Sequence, residues 1–98
     1  MQHTISIHPG RVLQDELSER GISQSALARH IGVLPRTINE ICAGKRGISA
    51  EMAMKLSMAL GASPAFWFNL QKNWELSRAV RRRRRSIRPL AASVRGRN

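Results

Sequence analysis

The chain has 98 residues with a single cysteine, and apolar residues make up 42% of it. That length allows one small domain, and that apolar fraction excludes a disordered sequence. No apolar run is as long as a membrane span, which needs about 18 residues. The N-terminus "MQHTISIHPG" lacks the basic start and the apolar stretch of a signal peptide. We therefore expect a cytoplasmic protein without an internal disulfide, held together by packing.

The formal net charge of +11 is unevenly distributed. Residues 1–77 hold eight Lys or Arg and all six acids, whereas residues 78–98 hold nine Arg and no acid. We therefore divide the chain into a domain over residues 1–80 and an arginine-rich tail over residues 81–98. Such a tail indicates a polyanionic partner but carries no information on sequence choice.

Helix start and stop signals predict an all-α fold of five helices. A serine or proline opens each helix, and a glycine follows each of the first four. The predicted segments are Pro9 to Gly21, Ser23 to Gly32, Pro35 to Gly44, Ser49 to Gly61, and Ser63 to Val80. The triplet "ISI" at residues 5–7 is a candidate for one short strand.

Each predicted helix has one apolar face, which together would form the core. The expected core residues are Val12, Leu13, Leu17, Leu27, Ala28, Ile31, Ile38, Ile41, Cys42, Met52, Leu56, Ala59, Leu60, Phe66, Trp67, Leu70 and Trp74. The fifth helix holds all four aromatic residues, and the i, i+4, i+8 spacing of Phe66, Leu70 and Trp74 favours a lid over the other helices. Trp67, Phe68 and Trp74 are the candidates for a dimer or partner surface.

The three residues "GVL" join the second and third helices. Gly32 can adopt a positive φ there, and Val33 can fill the angle between the helices. A turn this short between two helices, with Ala28 small enough for the third helix to cross, predicts a helix-turn-helix unit over residues 23–43.

The third helix would present polar side chains outward when Ile38 points into the core. Arg36 and Glu40 then point directly outward, with Asn39 and Thr37 on the flanks. Arg can pair bidentately with guanine, and Glu can accept from cytosine. We therefore predict Arg36, Thr37, Asn39 and Glu40 as base-reading residues. Alternatively, Glu40 only orients Arg36, or the two form a plain i, i+4 surface ion pair.

Phosphate contacts are predicted on either side of this helix. Lys45 and Arg46, in "GKRG", would lie along the DNA backbone. Ser23 and Gln24 stand at the start of the second helix, where N–H groups attract phosphate. The alternatives are a solvated loop and, for Ser23, a plain helix cap.

The remaining polar residues indicate no catalysis or metal binding. The three histidines match no helical ligand pair, and one cysteine cannot complete a cluster. His8 is better explained as a helix cap or loop residue, and Cys42 as a small core residue. No nucleophile–base pair or carboxylate dyad is visible, so we expect neither an enzyme, a metal nor a cofactor.

The segment "SQSALARHIGVLPRTINEICAGKRGISAEMAMKLSMALG" resembles the helix-turn-helix domain of the Cro/phage-repressor (XRE) family. The flanking "IHPGRVLQDEL", "SPAFWFNLQ" and "NWEL" resemble the HigA antitoxin group, also called the virulence-associated protein I group. This likeness covers roughly residues 7–80. It departs at Leu34, where small polar residues or proline are commoner, and in the arginine tail.

The resemblance implies a five-helix, lambda-repressor-like DNA-binding fold. It also implies a homodimer that represses its own operon by binding double-stranded operator DNA. The second implied partner is HigB, a RelE-like mRNA endonuclease toxin that such antitoxins neutralise. A stand-alone phage-repressor-type regulator and a basic RNA- or ribosome-associated protein remain the alternatives.

The arginine run at residues 81–85 points all round a helix, so it cannot form one reading face. Pro89 should end any helix by about Arg88. The tail is either a solvated extension or a phosphate anchor that adds affinity without choosing sequence.

Overall fold

The computed structural model describes residues 7–83 and 87–90. Over this part of the chain it has five helices and no strand: α1 (Pro9–Arg20), α2 (Gln24–Ile31), α3 (Pro35–Cys42), α4 (Ala50–Leu60) and α5 (Pro64–Arg83). The predicted all-α class and the five predicted helices are confirmed. The candidate strand falls mainly on residues 5 and 6, which lie outside the described residues.

The helix ends follow the predicted capping chemistry. Three serine hydroxyls accept hydrogen bonds from backbone N–H groups in the first turn of α2, α4 and α5. The pairs are Ser23 with Ala26 at 3.0 Å, Ser49 with Met52 at 3.1 Å, and Ser63 with Phe66 at 3.1 Å. Local sequence therefore sets where these helices begin, and packing sets how they lie.

The core is formed by the inner faces of all five helices. Its buried apolar residues are Leu13, Leu17, Leu27, Ala28, Ile38, Ile41, Met52, Ala53, Leu56, Leu60 and Trp67 of the helices and Ile48 between α3 and α4. Helix α3 packs against α1 and α2, and α4 packs against α2 and α5. Helix α3 therefore has its apolar side held by two neighbours, which leaves its other side free.

The inward face of α5 differs from the predicted one. Phe66, expected in the lid, is 44% exposed, whereas Trp67 is 1% exposed and lies in the core. Leu70 and Trp74 are half-buried, as the lid required. Burial of the larger indole decides the rotation, because an aromatic side chain can remove 150–250 Å² from water. The lid therefore begins one residue later than predicted.

The first turn of α1 lies directly against the end of α3. His8 caps α1, since its Nδ1 accepts a hydrogen bond of 2.9 Å from the Gly10 N–H. A Cβ atom on Gly10 would collide with the carbonyl oxygen of Ile41. The His8 ring also meets the edge of Trp74 on α5, with the ring centroids 4.6 Å apart. The predicted capping role of His8 is confirmed, and it ties α1 to α5.

The arginine-rich tail begins inside a helix. Helix α5 is described as far as Arg83, so the boundary proposed after residue 80 lies inside this helix. Residues 84–86 and 91–98, where most of the predicted tail lies, are outside the described residues.

Acid should weaken the α1 cap. Burial lowers the pKa of His8 below its ordinary value of 6.5. The cap is therefore complete above pH 6.5, and its contribution is lost as the pH falls through the lowered pKa, because a protonated Nδ1 cannot accept a hydrogen bond. We expect the wild type to lose up to about 1 kcal/mol more stability than His8→Asn between about pH 7.5 and about pH 5.

Asparagine is the matched control, because it caps helices well and does not titrate. Urea unfolding of both proteins at each pH measures the difference. Parallel stability curves for the two proteins would contradict a titrating cap.

Candidate nucleic-acid interface

The connection between α2 and α3 has the predicted helix-turn-helix geometry. Gly32 has φ 75° and ψ 36°, in the left-handed region, and its N–H bonds to the Ala28 carbonyl. The Val33 N–H donates to the same carbonyl at 2.9 Å. The chain thus leaves α2 sharply, and Leu34 turns it into α3 with an extended backbone. The short turn fixes the direction of α3.

Helix α3 has one buried and one exposed face. Ile38 and Ile41 are both 0% exposed. Arg36 and Asn39 are exposed, and Thr37 is half-buried. Within the described residues Arg36 has no ion-pair partner. The structure therefore presents a free guanidinium beside a polar amide, which is chemistry suited to the edges of bases.

Glu40 pairs with Arg46 and not with Arg36. Its Oε1 accepts from Arg46 Nη2 at 2.7 Å and from Nε at 2.9 Å. The interpretation that Glu40 orients Arg36 is therefore wrong in this structure. The reason lies in the segment that follows the helix: the Lys45 N–H bonds to the Glu40 carbonyl at 2.8 Å, so the chain folds back over the last turn of α3. Glu40 holds the neighbouring loop cation instead.

The α3–α4 loop, residues 43–49, and the start of α2 carry the predicted phosphate-binding residues. Lys45 and Arg46 are exposed, as is Ser23, and Gln24 is half-buried. The Ser23 hydroxyl accepts from the Ala26 N–H. A hydroxyl that accepts one bond can still donate another, so capping and phosphate binding are compatible at this residue.

The three aromatic candidates for a partner surface differ in exposure. Trp67 is buried, which confirms its place among the expected core residues and makes its assignment to a surface wrong. Phe68 is half-buried, and Lys72 Nζ lies 5.1 Å from its ring centroid. Trp74 is half-buried between His8 and Arg78, whose Cζ lies 4.8 Å from the indole ring. Phe68 and Trp74 stay candidates, but both are partly covered.

Sequence reasoning missed three residues on α5. Gln71 is a buried polar residue, 5% exposed, and it contacts the α3–α4 loop. Its position four residues after Trp67 and three before Trp74 was the available signal for an inward side chain. Leu76 and Val80 are 63% and 51% exposed and share one face at an i, i+4 spacing. They are more accessible than the aromatic residues proposed for a partner surface.

Three further features of the described residues concern metal, thiol and membrane chemistry. Residues 7–83 and 87–90 contain no group of three or more His, Cys, Asp or Glu residues placed to hold a metal ion. Cys42 is half-buried, and burial raises the pKa of its thiol. No described helix is both long enough and apolar enough to cross a membrane.

The fold and the exposed face of α3 define a helix-turn-helix protein, and the helix-turn-helix family profile matches residues 13–67. Antitoxin HigA-1 of Vibrio cholerae is 33% identical over 89 residues, covering 87% of this chain and 84% of that protein. Virulence-associated protein I of Dichelobacter nodosus is 40% identical over 75 residues, covering 76% and 69%.

A solved structure agrees with these relatives. The Pseudomonas aeruginosa antitoxin HigA, solved with the higBA promoter, is 41% identical and superposes with a TM-score of 0.83. The match covers 89% of this chain and 100% of that one. The chain therefore belongs to the HigA antitoxin group of the helix-turn-helix family.

A side-chain cap is missing at the start of α3, and restoring it should stabilise the domain. Leu34 is the N-cap, forms no side-chain cap bond and is 69% exposed. We expect Leu34→Ser to be more stable than Leu34→Ala by about 0.5–1 kcal/mol, because only serine can accept from the orphan N–H groups. Urea unfolding measures both variants, and equal stabilities would show that the α3 terminus cannot use a cap.

Proposed function

We propose that this protein is the antitoxin of a HigB/HigA-type module. It binds the operator of its own operon as a sequence-specific repressor, and it neutralises a RelE-like mRNA endonuclease toxin. One observation carries the DNA-binding part: the exposed polar face of α3, held by the Gly32 turn, in a fold that matches a HigA antitoxin solved with promoter DNA. A helix so presented has the shape that enters a major groove.

Arg36 is the leading base-reading residue. Its guanidinium is exposed and has no ion pair among the described residues, so no internal contact must break before it pairs with guanine O6 and N7. Asn39, one turn further along, suits adenine, and Thr37 suits a contact with a base edge or a thymine methyl group. Glu40 contributes by holding Arg46, and a cytosine contact would compete with that ion pair.

The phosphate contacts are assigned to both ends of the reading helix. Lys45 and Arg46 follow α3, and Ser23 and Gln24 open α2, where the backbone N–H groups favour an anion. These contacts set the height and register of α3 in the groove without distinguishing bases. The exposed Arg81 and Arg82 on α5 suit the same role, which supports the tail as a phosphate anchor.

The homodimer is assigned to the second half of α5. Leu76 and Val80 form an exposed apolar pair there, four residues apart on one face of the helix. Exposed apolar residues that share a helix face favour association, whereas isolated ones need no partner. A two-fold dimer would place two copies of α3 about one helical turn, ~34 Å, apart on an inverted repeat.

Base reading by Arg36 is tested against phosphate binding by Lys45. Arg36→Ala should cost about 1–3 kcal/mol on the operator and relax preference at one base pair. Lys45→Ala should weaken operator and random duplexes equally and reduce the salt slope by about 0.9. Fluorescence anisotropy on both duplexes, at several salt concentrations, measures both variants. Equal losses on the two duplexes for Arg36→Ala would demote it to a phosphate contact.

The dimer surface is tested by adding charge to it. Leu76→Asp should raise the dimer dissociation constant at least about tenfold, because the carboxylate would be buried between two copies. Met58→Asp is the matched control, since Met58 is 81% exposed on α4 and lines a surface cleft with His30 and Ile31 of α2. Sedimentation equilibrium at micromolar concentration measures both. A wild-type monomer whose footprint lacks two-fold symmetry would contradict the dimer.

Neutralisation is tested by co-expression with a toxin encoded beside this gene. Both the wild type and Arg36→Ala should restore growth, because groove reading and toxin binding use different surfaces. Loss of rescue by Arg36→Ala alone would show that the two surfaces overlap. If no neighbouring toxin co-purifies with the chain, the stand-alone regulator becomes the better interpretation.

A further inference from the structure

Gln71 is the one buried polar side chain among the described residues. Its Oε1 accepts a hydrogen bond of 2.8 Å from the Ile48 N–H, in the α3–α4 loop. Its Nε2 donates at 2.8 Å to Glu75 Oε2, one turn further along α5. An ionised carboxylate can only accept hydrogen bonds, so Glu75 pairs with the NH₂ group of the Gln71 amide and not with its oxygen. The amide oxygen therefore points at the loop.

The backbone of the loop also lies close to the Gln71 side chain at Gly47. A Cβ atom on Gly47 would lie 2.7 Å from Gln71 Nε2 and 2.9 Å from its Cδ and Oε1. The Gln71 amide cannot move aside freely, because both of its ends are hydrogen-bonded. Position 47 therefore accommodates only glycine without rearrangement, because the Gln71 amide occupies the space that a side chain would need.

The loop is held at two points with its cations between them. On the α3 side, the Lys45 N–H bonds to the Glu40 carbonyl at 2.8 Å, and Arg46 pairs with the Glu40 side chain. On the α5 side, the contact at residues 47 and 48 is with Gln71. The backbone of Lys45 and Arg46 is therefore fixed from both directions.

We propose that Gln71 is a positioning residue for DNA binding: it holds the α3–α4 loop so that Lys45 and Arg46 reach phosphate together while α3 occupies the groove. This rests on the proposed function, and it assigns α5 a part in DNA binding besides any part in dimerisation. Gln71 touches no DNA in this arrangement. It acts through the backbone of residues 47 and 48.

The acceptor oxygen is tested by Gln71→Met, which keeps the length of the side chain and removes the amide. The Ile48 N–H then loses its partner, the loop is no longer held, and the phosphate contacts of Lys45 and Arg46 weaken. The salt slope of DNA binding should fall by about 1–2, at about 0.9 per lost contact. Gly47→Ala should have the same effect from the loop side, and the two changes together should be less than additive.

Two controls separate positioning from general destabilisation. The reciprocal exchange Gln71→Glu with Glu75→Gln keeps an acceptor for the Ile48 N–H, a bond between the two side chains and the net charge, so it should restore the wild-type salt slope. Leu17→Ala removes a core side chain of α1 that is 3% exposed. It should lower the unfolding temperature without changing the slope.

The measurement is anisotropy on two duplexes, the footprinted site upstream of this chain's own gene and a random sequence of equal length. An unchanged slope in Gln71→Met overturns the positioning role. Equal wild-type affinity for both duplexes overturns the proposed function instead, and the slope on random DNA still tests Gln71. Slow hydrogen exchange of the Ile48 amide, lost in Gln71→Met, confirms the hydrogen bond in the free protein.

Discussion

Burial of two isoleucines under α3 is the constraint on which the rest of the structure depends. An eight-residue helix is too short to be stable alone in water. Helix α3 exists because Ile38 and Ile41 are completely buried against α1 and α2. The Gly32 turn fixes the direction from which α3 arrives, and the burial fixes its rotation. Arg36 and Asn39 face outward as a consequence, since they lie on the opposite side of the same helix.

Electrostatics divides the cations near α3 into two kinds. Arg36 is unpaired within the described residues, so no internal contact would have to break before it met a base. Arg46 is held by Glu40, which would lower the entropy lost if its guanidinium met a phosphate. The ion pair is worth little for stability, because both side chains are substantially exposed. The ion pair instead fixes the position of the Arg46 side chain, and the hydrogen bond from the Ile48 N–H to Gln71 fixes the backbone of the same loop.

Local signals in the sequence predicted most of the fold. The serine caps, Pro9, Pro35 and the glycine stops located all five helices, because these effects act within one turn. The rotation of α5 was not predictable in the same way. Phe66, Trp67 and Phe68 are adjacent and all apolar, so periodicity alone does not decide which faces inward, and packing against α4 favours the largest ring.

The candidate site shows the same limit at single residues. Helical periodicity correctly placed Arg36 and Asn39 on the outer face. It could not predict the pairing of Glu40 with Arg46, because that depends on the loop folding back over α3. The contact between Gln71 and Ile48 joins residues 23 positions apart, so no local pattern indicates it.

The two glycines that frame α3 differ in how far their positions can drift during evolution. Gly32 has a positive φ, but a Cβ atom there would meet nothing within 4 Å. Its replacement costs only backbone strain, which is least for Asn or Asp. Gly10 has no positive φ, but the Ile41 carbonyl occupies the place where a Cβ atom would lie. Homologues can therefore lose the turn glycine and keep the fold. A side chain at position 10, in contrast, would push α1 away from α3. A glycine at position 10 should therefore identify distant members of the group better than a glycine at position 32.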